Sequence, residues 1–212
     1  MGVQKRRASG APARWQGDGT LAAMQARILG LAEEHGMIQW PYGPSTAPFP
    51  PGKGVGDGIA HGRKGKGVLL HSLTDAGGMP LAACTTLANE NERAHVMPLL
   101  NAVTIKTGKR GRPRKRPKVL AADKGYDSKA LRQQLRQRGI RAQLPKRLWK
   151  TSKPRGRPLK MDVPRFYAER TFAWFQKKYR RLVARWGRLS VCFNAFLAIA
   201  IIHIWIQKLI VG

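Results

Sequence analysis

Forty Lys and Arg face only eleven Asp and Glu along 212 residues, and two of those carboxylates stand where phosphate chemistry needs them. Asp123 closes the short apolar run Val119-Leu120-Ala121-Ala122 and opens the turn Lys124-Gly125-Tyr126-Asp127. Glu169 begins the stretch Glu169-Arg170-Thr171-Phe172-Ala173-Trp174, which reads as helix. A chain this basic has little reason to keep acidic groups unless they are paired or hold a cation. A carboxylate at the end of a strand and another on a helix could together ligate a divalent ion. Each also has a plainer reading: Asp123 as a turn former, and Glu169 as the partner of Arg165 one helical turn away.

The surrounding charge points to the partner. A net charge of +29 strains a compact monomer and matches a phosphate-rich ligand, either as substrate or as something merely packed. Between Lys106 and Lys160 there are twenty-one Lys and Arg against Asp123 and Asp127. Two copies of Arg-Gly-Arg-Pro lie there, Arg110 to Pro113 and Arg155 to Pro158. Pro keeps such a segment extended and Gly allows close approach, so Arg110, Arg112, Arg155 and Arg157 could enter a narrow minor groove. The same four-residue core occurs in A·T-hook segments of chromatin proteins. The alternative is a solvated linker that touches phosphates without base preference.

Cys84 and Cys192 are far apart, with no zinc-type spacing, which suits two small hydrophobes in a reducing compartment. The N-terminus has no apolar stretch behind its positive charge and so no secretory signal. Between Arg188 and Lys208 there is no charged residue. That length approaches a membrane span of roughly 20 residues. Ser190, Asn194, His203 and Gln207 interrupt it, and a core helix with His203 as a satisfied core histidine is expected, without a membrane partner.

Residues 1–19 are expected to be poorly ordered, and Thr20 to cap a helix over 21–35 that Gly36 ends. Residues 41–58 read as irregular loop. Two apolar runs, 67–74 and 79–86, flank Asp75-Ala76-Gly77-Gly78 as a hairpin. A helix over about 90–103, a strand ending at Asp123, a helix capped by Ser128, a strand over 140–144 and two final helices follow. Counted at 100° per residue, Arg165, Glu169, Gln176 and Arg180 would share one stripe. The order predicts an α/β fold, a mixed sheet flanked by helices and joined by basic linkers.

These residues resemble the DDE transposases of bacterial insertion sequences, of the IS-four/IS-five kind. The resemblance rests on Ala122-Asp123-Lys124-Gly125-Tyr126-Asp127, on Glu169 to Trp174 and on Arg180-Arg181-Leu182. Gly65-Lys66-Gly67, Leu73-Thr74-Asp75, Asn89 to Arg93 and Phe193-Asn194-Ala195-Phe196 add to it. It implies a ribonuclease-H-like fold over 37–212, preceded by a remnant N-terminal region and helix at 1–36. It further implies two Asp and one Glu holding two divalent ions, Mg²⁺ or Mn²⁺, for DNA strand cleavage and transfer. Asp123 would be the second Asp and Glu169 the Glu, both catalytic and metal-binding.

The resemblance also implies double-stranded DNA as partner, in the form of insertion-sequence ends, a cytoplasmic, nucleoid-associated location and scope for a homo-oligomer. Arg165, Lys177, Arg180 and Arg181 are the DNA-gripping candidates. The chain departs from the family twice. In the family pattern Tyr-x₂-Arg-x₃-Glu-x₆-Lys, Asp162 replaces the Tyr and Gln176 the Lys, with Lys177 one residue late. The first Asp, expected three residues before Phe49, is Thr46, and Ile38 to Lys53 holds no carboxylate. Asp57 is the nearest acid, inside a Gly-rich loop. A hydroxyl cannot replace a carboxylate that offsets the repulsion of two cations, so an inactive or impaired enzyme is expected, with only the tail of the family's N-terminal region present. The alternative is a non-catalytic basic DNA-binding protein using its two Arg-Gly-Arg-Pro segments.

Overall fold

The ten-residue strand β3 (Gly65–Thr74) is buried over its last eight residues, which explains its near-continuous apolar run. It pairs antiparallel with β4 (Pro80–Leu87) in a register from Val68 opposite Leu87 to Leu73 opposite Ala82. The hairpin expected from the turn Asp75 to Gly78 is therefore present. Its turn is organised by the buried Asp75 carboxylate, which accepts from the backbone N–H of Gly77 (2.8 Å), Met79 (2.8 Å) and Gln39 (3.1 Å). The computed structural model describes residues 10–40, 45–46, 49–103, 105, 110, 117–145 and 166–212, with backbone only at 45–46 and 166–168.

Two more strands lie against β3. β1 (Ser45–Thr46) pairs antiparallel with it, Thr46 opposite Ser72, and β2 (Ala60–Gly62) pairs nearer its start. The stretch 41–58 is thus not all irregular loop, because residues 45–46 pair with β3 as a short strand. β5 (Val119–Ala121), wholly buried, pairs parallel with β6 (Arg141–Gln143). Between them α4 (Lys129–Gln137) makes the crossover, capped by Ser128, whose Oγ accepts from Leu131 N at 3.1 Å, and stopped before Gly139 at φ 67°. The architecture is a mixed α/β fold.

The helices differ more from expectation. Residues 11–17 form α1 (Ala11–Gly17), with Pro12 in its first turn, where the missing N–H costs nothing. Residues 1–9 lie outside the described residues. α2 (Thr20–Glu34) places Leu29 and Ala32 in the main core. Thr20 is its first helical residue, not its cap, and the Asp18 carboxylate receives the Thr20 N–H at 3.0 Å. The expected helix over 90–103 begins as a tight 3₁₀ turn, Glu92–His95, and continues as α3 (Val96–Ala102). α5 (Phe166–Lys178) stops at Tyr179, whose backbone leaves the helical region, and α6 (Arg180–Val183) starts anew. The stripe from Glu169 to Arg180 is therefore broken.

α7 (Ser190–Val211) is long and apolar enough to cross a membrane by length and composition, with mean hydropathy 1.8. In the fold it packs on α1, α2, α6 and β4, and it buries Phe193, Leu197, Ile201 and Trp205. The Trp205 indole N–H donates to Pro80 O at 2.6 Å. His203 is not a core histidine: it sits on the exposed side of α7, its Nδ1 2.8 Å from the Tyr179 hydroxyl.

Candidate functional site

Asp123 emerges two residues beyond the C-terminal end of β5, where a buried strand hands the chain to the surface. Its backbone is extended, and its side-chain Oδ1 accepts from Lys124 N at 2.7 Å, capping the 3₁₀ turn Lys124–Tyr126. The plainer reading, a turn former, is thus met by the geometry, and the carboxylate remains exposed. The turn is clamped from two sides. The Arg93 Nε–H donates to Gly125 O at 2.8 Å, and Asp127 pairs with Arg132 at 2.8 Å, while Arg132 also donates to Leu144 O at the end of β6.

Asp123 borders a cleft of about 650 Å³. One wall is the β2–β3 hairpin tip with Arg63 and Lys64, and the other carries Glu90, Glu92 and Arg93. The hairpin is held close because Gly62 has no side chain: a Cβ there would lie 2.3 Å from Ala88 O. Glu90 is paired with His95 at 2.7 Å. Sequence reasoning singled out Asn89 to Arg93 as a stretch but missed this role. Only the fold brings it beside Asp123.

Glu169 lies in the first turn of α5 and is exposed. The helix is anchored by its next residues. The Arg170 guanidinium donates to Gly77 O and stacks on the Trp174 ring at 5.0 Å, the Thr171 hydroxyl donates to Gly78 O, and Phe172 and Phe175 enter the core. Glu169 is not among the residues lining the Asp123 cleft. Among the described residues, no three His, Cys, Asp or Glu side chains group as a metal site requires.

The fold also decides about Asp57. Its carboxylate accepts from the Arg185 guanidinium (2.8 Å), from Ser190 N (2.6 Å) and from the Ser190 hydroxyl (2.9 Å). It therefore ties the Gly-rich loop to the start of α7, where a carboxylate complements the helix dipole. Partial burial raises its pKa, but the Ser190 hydrogen bonds and the Arg185 charge outweigh that and hold the pKa below its ordinary value. Occupied in this way, Asp57 is no substitute for a carboxylate at Thr46. The Thr46 backbone lies on β1 beside β3.

Of the DNA-binding candidates, Arg110, Lys177, Arg180 and Arg181 are exposed, and Arg181 stacks on the Phe196 ring at 5.2 Å. Arg112, Arg155, Arg157 and Arg165 fall outside the described residues, as does most of both basic linkers.

Comparison with known proteins bears on the same segment. Residues 120–207, from the strand before Asp123 to within the last turns of the apolar helix, match the family described as transposase DDE domain. A Burkholderia cepacia protein assigned as a transposase for insertion sequence element IS402 is 42% identical over 127 residues. That similarity covers 60% of this chain and 57% of the relative, so the chain matches little more than half the relative's length.

Proposed function

On the match of residues 120–207 to the transposase DDE domain and the similarity to an insertion-sequence transposase, we propose that the chain is a DDE transposase with a role in DNA transposition. The observation that carries it is the coincidence of family match and geometry at Asp123: an exposed carboxylate at a strand end, on a cleft edged by Arg63, Lys64 and Arg93. DNA strand cleavage and transfer is the reaction the family resemblance assigns, with Asp123 and Glu169 as catalytic and metal-binding carboxylates. DDE domains in general use divalent ions, and in such a site the ions offset charge on the attacking and leaving oxygens. A ribonuclease-H-like arrangement over 37–212 accommodates this reading.

Catalysis is impaired in the proposed reading. Thr46 stands at the first Asp position, Asp57 is engaged by Arg185 and Ser190, and no three His, Cys, Asp or Glu side chains group as a metal site among the described residues. What persists is binding to duplex DNA inside the cell, through the exposed cations and the two Arg-Gly-Arg-Pro segments. Affinity should then fall steeply with salt, with a log–log slope of roughly −0.9 per neutralised phosphate. The purified chain should neither cut nor join insertion-sequence ends with Mg²⁺ or Mn²⁺, and Thr46→Asp should restore measurable strand cleavage. Robust strand transfer by the unaltered chain, abolished by Asp123→Asn, would overturn the impairment. Salt-insensitive binding would overturn the DNA reading itself.

A further inference from the structure

The segment Gly52-Lys53-Gly54-Val55-Gly56-Asp57-Gly58 is left unexplained by the site above. It runs alongside residues 185–188 as a stitched ribbon. Gly52 bridges Arg185 in parallel, Lys53 N donates to Arg185 O (3.0 Å), Arg185 N donates to Pro51 O (2.9 Å), and Asp57 N donates to Arg188 O (3.0 Å). The glycines alternate because that strand is so near. A Cβ on Gly54 would sit 3.3 Å from Trp186 O, and one on Gly56 only 2.2 Å from Arg188 O. The ribbon is fastened underneath by Arg185, 1% exposed, through its bond to Asp57.

This rigid ribbon presents Val55 and Trp186 to solvent, at 75% and 68% exposure. Lys53 and Arg188 are exposed on the same two stretches of chain, and no Asp or Glu follows Glu169 anywhere in the sequence. The one acid of the ribbon, Asp57, is already compensated by Arg185. An indole held out among cations fits a ligand with both an anionic backbone and flat apolar faces. In an intact duplex those faces are covered by stacking. They open only at ends, nicks and unpaired bases.

We propose that the ribbon of residues 52–58 and 185–188 is a DNA contact in which Trp186 stacks on an exposed base at a strand end, while Lys53 and Arg188 hold the adjoining phosphates. This rests on the DNA reading above and adds to it a preference for opened DNA. Stacking of one base on an aromatic side chain contributes about 1–3 kcal/mol, so the preference should be roughly tenfold.

The test compares a blunt duplex with the same duplex bearing a short single-stranded overhang, titrated with the full chain. The unaltered protein should bind the overhang about tenfold more tightly. Trp186→Ala should remove that preference while leaving blunt-duplex affinity and its salt slope unchanged, and Trp186→Phe should keep most of it. With Trp186 so exposed, the variants should melt like the parent. A preference that survives Trp186→Ala, an equal loss on both DNAs, or an altered oligomeric state in sedimentation would overturn the proposal, the last pointing to a second copy of the chain. Salt-dependent duplex binding without any overhang preference would refute this inference alone. No salt-dependent binding at all would remove the DNA reading with it.

Discussion

The Asp57 carboxylate lies 2.8 Å from the guanidinium of Arg185, 128 residues further along the chain, and that guanidinium is almost wholly buried. One acid thus neutralises a buried cation, receives the first N–H of α7 and fixes the Gly-rich loop. Asp57→Ala should destabilise the fold by about 2 kcal/mol, since it strands the buried charge and an N-terminal N–H of the helix. Because the folded pKa is depressed, the contribution is present above the ordinary value of 3.8 and is lost as pH falls through the folded value. Chemical denaturation at pH 7 and under more acidic conditions checks both statements, and an Asp57→Ala midpoint equal to the parent's would contradict them.

Gly56 tests the same ribbon through packing. A Cβ there meets the backbone of Arg188, which cannot swing aside as a side chain could. Gly56→Ala should cost about 1–3 kcal/mol. Gly125→Ala is the control, with nothing within 4 Å of its Cβ, and should fold as stably as the parent. Thermal melting of the two variants side by side gives the comparison.

Asp75 organises the turn that receives α5. Burial pushes its carboxyl pKa up, even though Met79, Gln39 and Gly77 N–H groups and the Arg170 charge favour the ionised form. Asp75→Ala leaves three donors without their acceptor and should destabilise by about 3 kcal/mol or more. Asp75→Asn keeps an acceptor without the buried charge and should lose much less. Equal losses in urea unfolding would show that the acceptor geometry is not what matters.

His71 is buried with its Nε2 2.8 Å from the Thr86 hydroxyl, and burial followed by the neighbouring His95 lowers its pKa to about 4. The unfolded chain takes up this proton near 6.5 and the fold only near 4. Stability should therefore decline between those values as pH falls, by up to about 3 kcal/mol at one proton per unfolding event. His71→Gln should flatten that decline. A decline of undiminished slope in the variant would show that His71 is not the group that takes up the proton.

Elements whose signals are local are legible in the amino-acid order alone. The β3–β4 hairpin followed from two apolar runs and a Gly-rich turn, and α4 from Ser128 and Gly139, because caps and turns are satisfied by residues only a few positions away. The amino-acid order also marked Asp123 and Glu169 as scarce acids, and the match over 120–207 bears out the family those residues suggested. Other features depend on partners distant in sequence and emerge only on folding. Folding binds Asp57 to Arg185, sets Arg63, Lys64 and Arg93 around Asp123, and turns an apparently loose Gly-rich stretch into a ribbon carrying Trp186. A short strand such as β1, only two residues long, is held by pairing with β3 and not by its own propensity. For the same reason, two carboxylates recognisable one at a time in the sequence do not line one cleft among the described residues. The elements that carry them, β5 and α5, are oriented by their packing, which no local pattern records.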